Sequence, residues 1–166
     1  MLYTSVKNIT CNLSEKDKFM LVAIPLDTDF CIYHGNPSTA PHYALYTIEG
    51  ERSDLRFKLS RTAPNPWVKN GCDHANDEAV RNCACPAERA EDMHHIADHY
   101  VILEAIKGCE YLLAGTFCRN TVKTLRNGGI KTYKIPPFIH NSDKAIKHFL
   151  IGENYADTVQ HIHHAS

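Results

Sequence analysis

Long hydrophobic runs are missing from this sequence of 166 residues. No segment reaches the roughly 18 consecutive apolar residues that a membrane-spanning helix needs. The opening residues, MLYTSVKNITCNLSEKD, also lack the charged segment followed by an apolar one that is typical of a secretory signal. We therefore expect a cytoplasmic protein that has no membrane partner.

An excess of basic charge is missing as well. The chain has 18 Lys and Arg residues against 19 Asp and Glu residues, which gives a formal net charge of −1. Proteins that bind nucleic acid use clustered Lys and Arg to displace counterions from the phosphates. The balanced charge predicts that nucleic acid is not a partner.

Cysteine and histidine, in contrast, are abundant. The chain has 7 cysteines and 11 histidines. In a chain without a secretory signal, many cysteines in an odd number favour metal binding or redox chemistry over a disulfide framework. Because an imidazole must lose its proton before it binds a metal, any such site should bind more weakly at low pH.

These ligands are crowded into residues 71–99, GCDHANDEAVRNCACPAERAEDMHHIADH. Thiolate and imidazole are the ligands that zinc, copper, iron and iron–sulfur clusters prefer. Cys83 and Cys85 are too close for an easy disulfide, yet both could reach one cluster. With Cys72 and His74 they offer three thiolates and one imidazole. We predict that this loop holds a metal or metallocluster, and a redox-active or merely exposed loop is the alternative.

The rest of the chain predicts a single α/β domain over residues 19–151. Apolar runs predict strands at 19–25, 30–33, 111–114 and 130–135, and a hairpin of strands at 42–48 and 55–59. Residues 62–71 are predicted to be loop. Helical spacing predicts a helix over 87–107 with its apolar stripe in the core and a left-handed glycine, Gly108, after it. Further helices are predicted at 120–127 and 144–151, the latter capped by Ser142 and Asp143.

Antiparallel strands followed by strand–helix–strand units indicate a mixed sheet with helices on its faces. Residues 1–18 are interpreted as an N-terminal extension and 71–86 as a Cys/His-rich insertion. Residues 152–166 are interpreted as a His-rich tail that frays.

Several short segments resemble a known family in their order and spacing. They are residues 21–25 (LVAIP), His34-Gly35, residues 43–48, residues 108–115 (GCEYLLAG) and residues 125–133 (LRNGGIKTY). Over roughly residues 19–135 the chain is similar to the dinitrogenase iron–molybdenum cofactor biosynthesis family, which includes carriers of nitrogenase maturation and the small orange proteins.

The resemblance implies a ribonuclease-H-like fold that binds metal–sulfur clusters, usually without catalysis. The sequence departs from the family in the cysteine-rich segment 72–85 and in Cys118, where many members carry a small residue.

Further candidate ligands come from the predicted sheet. If the strands that begin near Leu21 and Tyr111 run parallel, their carboxyl ends open at the usual ligand edge. The first strand leads towards His34, and the second leads to Cys118 at a helix start. Free amides and the helix dipole favour anionic ligands there and lower the pKa of a thiol.

We therefore predict that His34 and Cys118 join Cys72, His74, Cys83 and Cys85 as metal ligands. Thr116, Arg119 and Asn120 are predicted to bind the cofactor. The alternatives are a turn histidine at His34 and a buried apolar thiol at Cys118.

Other cysteines and histidines receive structural interpretations. Cys31 and Cys109 are predicted to lie in the core. His95 and His99 share a helix face, as two zinc ligands would, but the glutamate of a metalloprotease motif is missing. We interpret them as surface histidines.

The function predicted from the sequence is binding, carriage or assembly of an iron–sulfur or iron/molybdenum cluster, without catalysis. Its partners would be a cluster donor or acceptor protein, and a homodimer that shares one cluster stays open. A thiol redox protein that uses Cys83 and Cys85 and a zinc-stabilised interaction module are the alternatives. A ribonuclease-H-type nuclease is disfavoured because no set of converging carboxylates is evident.

Overall fold

The protein is represented by a computed structural model that describes residues 19–69, 85, 87–155 and 159–161. The predicted ligands Cys72, His74 and Cys83 lie outside these residues, and so does the predicted N-terminal extension. No helix in the described part of the chain is long and apolar enough to cross a membrane.

The described residues form a mixed sheet of six strands. The strands are β1 (Met20–Leu26), β2 (His42–Glu49), β3 (Leu55–Pro64), β4 (Tyr111–Ala114), β5 (Lys131–Lys134) and β6 (Val159–His161). Their order across the sheet is β5-β4-β1-β2-β3-β6. β1, β2 and β3 pair antiparallel, while β4 pairs parallel with β1 and with β5, and β6 pairs parallel with β3.

Helices connect and cover these strands. They are α1 (Pro66–Lys69), α2 (Ala87–Ala90), α3 (Met93–Tyr100), α4 (Ile102–Ala105), α5 (Arg119–Asn127) and α6 (Ser142–Gly152), and a short 3-10 helix spans Pro37–Thr39. The predicted α/β class is confirmed: the described residues form one mixed sheet with helices on its faces, in one domain.

The central strand β1 is buried on both faces. Val22 and Ile24 belong to one core cluster, which includes Phe149 of α6. Ala23, whose side chain points to the opposite face, belongs to a second cluster, which includes Ile102 of α4 and Leu125 of α5. Because side chains alternate along a strand, this continuous apolar run can supply both cores at once.

Two sequence predictions fail around the end of β1. Residues 30–33 do not form a strand, since only Ile32 makes a bridge, to Leu26. The chain turns back here because the amide of Phe30 donates to the carbonyl of Asp27 and Phe30 adopts a φ of +62°. The turn leaves Cys31 exposed, so its predicted core position is wrong, whereas Cys109 is buried as predicted.

The predicted helix over 87–107 is divided into α2, α3 and α4. Asp92 has extended backbone and its carboxylate accepts from the amides of His94 and His95, so it begins a new helix at Met93. The predicted stripe is therefore wrong in part: Met93 is 74 % exposed, and the buried positions include Ile102 and Ala105. Gly108 has the expected positive φ, +86°.

Three smaller predictions are also corrected. Residues 62–71 are not all loop, because β3 continues to Pro64 and α1 follows it. The cap of α6 is Asn141, whose side chain accepts from the amides of Asp143 and Lys144, rather than the predicted Ser142 and Asp143. The predicted fraying tail contains β6, which pairs with the start of β3.

Candidate metal centre

Cys118 lies at the carboxyl edge of the sheet, as its position after β4 predicted. It is the N-cap of α5, and its sulfur accepts from the amide of Thr121 at 3.3 Å. The Thr121 hydroxyl lies 3.0 Å from the same sulfur, and the Asn36 side-chain amide donates to it at 3.2 Å. The Cys118 sulfur is therefore a polar, hydrogen-bonded centre and not the apolar thiol of the alternative interpretation.

His99 of α3 connects Cys118 to Cys85. Its Nε2 atom lies 3.2 Å from the Cys118 sulfur and 3.5 Å from the Cys85 sulfur. Its Nδ1 atom lies 2.7 Å from the carbonyl oxygen of His95. Since a carbonyl only accepts hydrogen bonds, Nδ1 must carry a proton, and Nε2 is the nitrogen that faces the two sulfurs.

These three residues form a buried group that could bind a metal ion. Cys85, His99 and Cys118 are 6 %, 3 % and 6 % exposed, respectively. Their ligand atoms all lie within 4.8 Å of one another. In addition, Nε2 of half-buried His95 lies 3.3 Å from the Cys85 sulfur.

The spacing of the ligand atoms suits a single ion. Tetrahedral zinc, with bonds of about 2.3 Å to sulfur and about 2.0 Å to nitrogen, holds a sulfur and a nitrogen about 3.5 Å apart. The separations from Nε2 of His99 to the two sulfurs, 3.2 and 3.5 Å, are close to this value. The Nδ1–carbonyl bond of His99 is the kind of outer contact that orients a ligating imidazole.

The hydrogen bonds also change the proton affinities of the group. Burial raises the pKa of the Cys118 thiol, but hydrogen bonds with His99, Thr121 and Cys85 outweigh it and lower the pKa to about 6. Burial lowers the pKa of His99, but its hydrogen bonds to Cys118 and to the His95 carbonyl outweigh this and raise it. The pair therefore favours a thiolate at Cys118 beside a His99 imidazole that holds its proton more tightly than usual.

Of the six ligands predicted from the sequence, the described group contains Cys85 and Cys118. Exposed His34 lies instead against His140, with its Nε2 3.1 Å from Nδ1 of that residue. Its predicted role as a ligand stays a prediction.

The predicted cofactor-binding residues lie beside Cys118 in the chain. Thr116 and Arg119 are exposed. Asn120 is buried, and its side-chain nitrogen has no hydrogen-bond partner among the described residues.

His99 and Asn36 are among the residues of the site that were not identified from the sequence. His99 was interpreted as a surface histidine, which is wrong, although its spacing of four residues from His95 was the signal that could have found it. Asn36 had no such signal, because its contact with Cys118 joins residues 82 positions apart.

Comparison with known proteins gives no family name. No protein-family model matches the chain, and the curated proteins include no match. Among solved structures, the chain is similar to PH0822, with 16 % sequence identity and a TM-score of 0.47, over 80 % of this chain and 92 % of that one.

Proposed function

We propose that this protein binds a thiophilic transition-metal ion through Cys85, His99 and Cys118, and that handling this metal is its function. One observation supports the proposal above all others: two buried sulfurs and one buried imidazole nitrogen lie within 4.8 Å of one another. Two thiolates and one imidazole favour zinc, iron or copper over magnesium or calcium, which prefer oxygen ligands.

The group leaves one position of a tetrahedral site to be filled. His95 is a candidate, because its Nε2 atom is already 3.3 Å from the Cys85 sulfur. A fourth protein ligand would make a closed structural site, whereas a bound water or a partner's ligand would leave the ion transferable. His95→Ala separates these cases, since metal affinity should fall only if His95 completes the site.

Carriage or assembly of an iron–sulfur or iron/molybdenum cluster is the second candidate function. The family resemblance motivates it, and the position of Cys118 at the N-terminus of α5 supports it, because free amides and the helix dipole there favour an anionic cluster. In this proposal the Cys85 and Cys118 sulfurs bind the cluster, and a donor or acceptor protein completes the transfer.

The experiment is elemental analysis of protein that has been purified without oxygen. Iron and labile sulfide in similar amounts support the cluster carrier, whereas one equivalent of metal without sulfide supports the single-ion site. Cys118→Ser should lose the metal in either case. Cys31→Ser is the matched control, since Cys31 is exposed and outside the group. A chain that takes up neither metal nor cluster contradicts both candidates.

A further inference from the structure

We propose that His34 and His140 form a second, exposed metal site for a divalent ion that prefers imidazole, such as Zn²⁺ or Ni²⁺. We further propose that an incoming ion binds there before it reaches the buried thiolates. The first statement depends only on the two histidines. The second rests on the proposed function of Cys85, His99 and Cys118.

The geometry of the pair suits two ligands of one ion. Nε2 of His34 lies 3.1 Å from Nδ1 of His140, and the rings are nearly perpendicular, with centroids 5.1 Å apart. Two imidazole nitrogens bound to tetrahedral zinc lie about 3.3 Å apart, so a small ring rotation could replace the shared proton with an ion. Both residues are exposed, so water can complete the coordination.

Backbone contacts next to each histidine hold His34 and His140 in this arrangement. The amide of Ile32 donates to the carbonyl of His140 at 3.5 Å, which connects the segment before His34 to the segment before α6. Asn141, the next residue, caps α6. A pair that is positioned before the ion arrives loses little conformational entropy on binding.

The loop that carries His34 also contacts the buried group. A Cβ atom at Gly115 would stand 3.9 Å from Nδ1 of His34. Two residues after His34, Asn36 donates to the sulfur of Cys118, which lies three residues after Gly115. Two residues span at most about 7 Å of backbone, so Asn36 and Gly115 connect the exposed pair to the Cys118 loop by short segments.

The direction of transfer follows from ligand chemistry. The exposed pair offers two neutral imidazoles and water, whereas the buried group offers thiolate sulfur in a site closed to solvent. Zinc and its neighbours bind an anionic thiolate set more tightly than two imidazoles. An ion captured at the surface should therefore move inward and not the reverse.

The test is a calorimetric titration of the metal-stripped full chain with Zn²⁺ under oxygen-free conditions. We expect a tight class and a weaker class of sites. His140→Ala and, separately, His34→Ala should each abolish the weaker class and keep the tight one, and Cys118→Ser should do the opposite. His148→Ala is the control, because His148 of α6 bonds to Tyr133 of β5 and should leave both classes intact.

The outcomes separate the two proposals. If either histidine variant keeps the weaker class, the exposed site is wrong while the buried site stands. If Cys118→Ser keeps the tight class, the buried site is wrong while the exposed site stands. Stopped-flow loading with Co²⁺, followed by the thiolate-to-cobalt absorption, should be severalfold slower in His140→Ala, and an unchanged rate overturns the entry role.

Discussion

Hydrogen bonds, rather than burial, distinguish the two buried thiols Cys118 and Cys109. Both are 6 % exposed. Burial raises the pKa of Cys109 to about 12, and Arg61 opposes it only in part. At Cys118, hydrogen bonds bring the pKa to about 6. The polar surroundings of Cys118 therefore prepare a thiolate, the form in which cysteine binds metal.

We predict that Cys118 in the metal-free protein titrates near pH 6, while Cys109 keeps its proton throughout the stable pH range. The Cβ chemical shifts of the two residues, followed by NMR, measure both events. Because the folded pKa of Cys118 lies below its unfolded value, the thiolate stabilises the fold above that value, and this contribution is lost as pH falls through about 6. A Cys118 that titrates near 9 contradicts the prediction.

His99 should account for much of this effect. In His99→Leu we expect the pKa of Cys118 to rise above 6, because burial remains while the hydrogen bond from Nε2 is gone. The same NMR titration measures the change. His94→Leu is the control, since His94 is exposed on the same helix, and an equal shift in both variants contradicts a specific role for His99.

Metal affinity should rise with pH across this range. Below about pH 6 protons compete for Cys118, and His99 must also release the proton on Nε2 before it can bind. We therefore expect apparent Zn²⁺ affinity to fall steeply as pH is lowered through 6. Competition titrations with a chelator at several pH values measure it, and a flat profile contradicts thiolate and imidazole ligation.

At the scale of elements, helix α3 places His95 and His99 against the buried cysteines. Asp92 begins this helix, and its carboxylate accepts from the amides of His94 at 2.9 Å and His95 at 3.5 Å. His95 and His99 then lie one turn apart and both contact the Cys85 sulfur. The residue at which α3 begins therefore fixes the positions of the His95 and His99 imidazoles.

Loss of this cap should weaken both the helix and the metal site. Asp92→Ala is expected to destabilise α3 by about 1 kcal/mol, because amides at its start lose their acceptor. Hydrogen exchange should show faster exchange of the α3 amides, and Zn²⁺ affinity should fall. Asn141→Ala removes the cap of α6 and should leave the buried site's affinity unchanged, so equal losses in both variants contradict a specific role for α3.

The sequence predicted most strands and the position of Cys118, because these depend on local patterns. Residues 111–114 are an apolar run between a glycine turn and a loop, and β4 has these bounds. The break before α3 was missed because apolar residues continue at helical spacing on both sides of Asp92. The spacing of His95 and His99 indicated a shared helix face, but the contact of His99 with Cys118 could not be predicted, since it joins two separate elements.

At the scale of the whole molecule, the sheet separates the metal group from the α6 face. Leu125 of α5 packs in one cluster, while Phe149 of α6 packs in the other. Cys118 is the N-cap of α5, so the metal site lies on the same face of the sheet as α5 and Leu125. Stability and metal binding should therefore be separable by mutation.

Phe149→Ala should lower stability without changing the metal site. Phe149 is fully buried. Its truncation is expected to cost about 3–5 kcal/mol in the free energy of unfolding, because a cavity remains in the core. Urea denaturation measures this loss. Under conditions where the variant is still folded, Zn²⁺ affinity should match that of the wild type, and a large loss of affinity contradicts the separation.

The most direct test of the buried metal site is Co²⁺ binding by the wild type and by Cys118→Ser, with Cys31→Ser as the control. Co²⁺ takes the tetrahedral sites of zinc and reports sulfur ligands through charge-transfer absorption. We expect one equivalent to bind to the wild type and to Cys31→Ser with a tetrahedral, thiolate-ligated spectrum, and Cys118→Ser to lose it. If the wild type gives no thiolate absorption, or if Cys118→Ser gives the same spectrum, Cys85, His99 and Cys118 do not form a metal site.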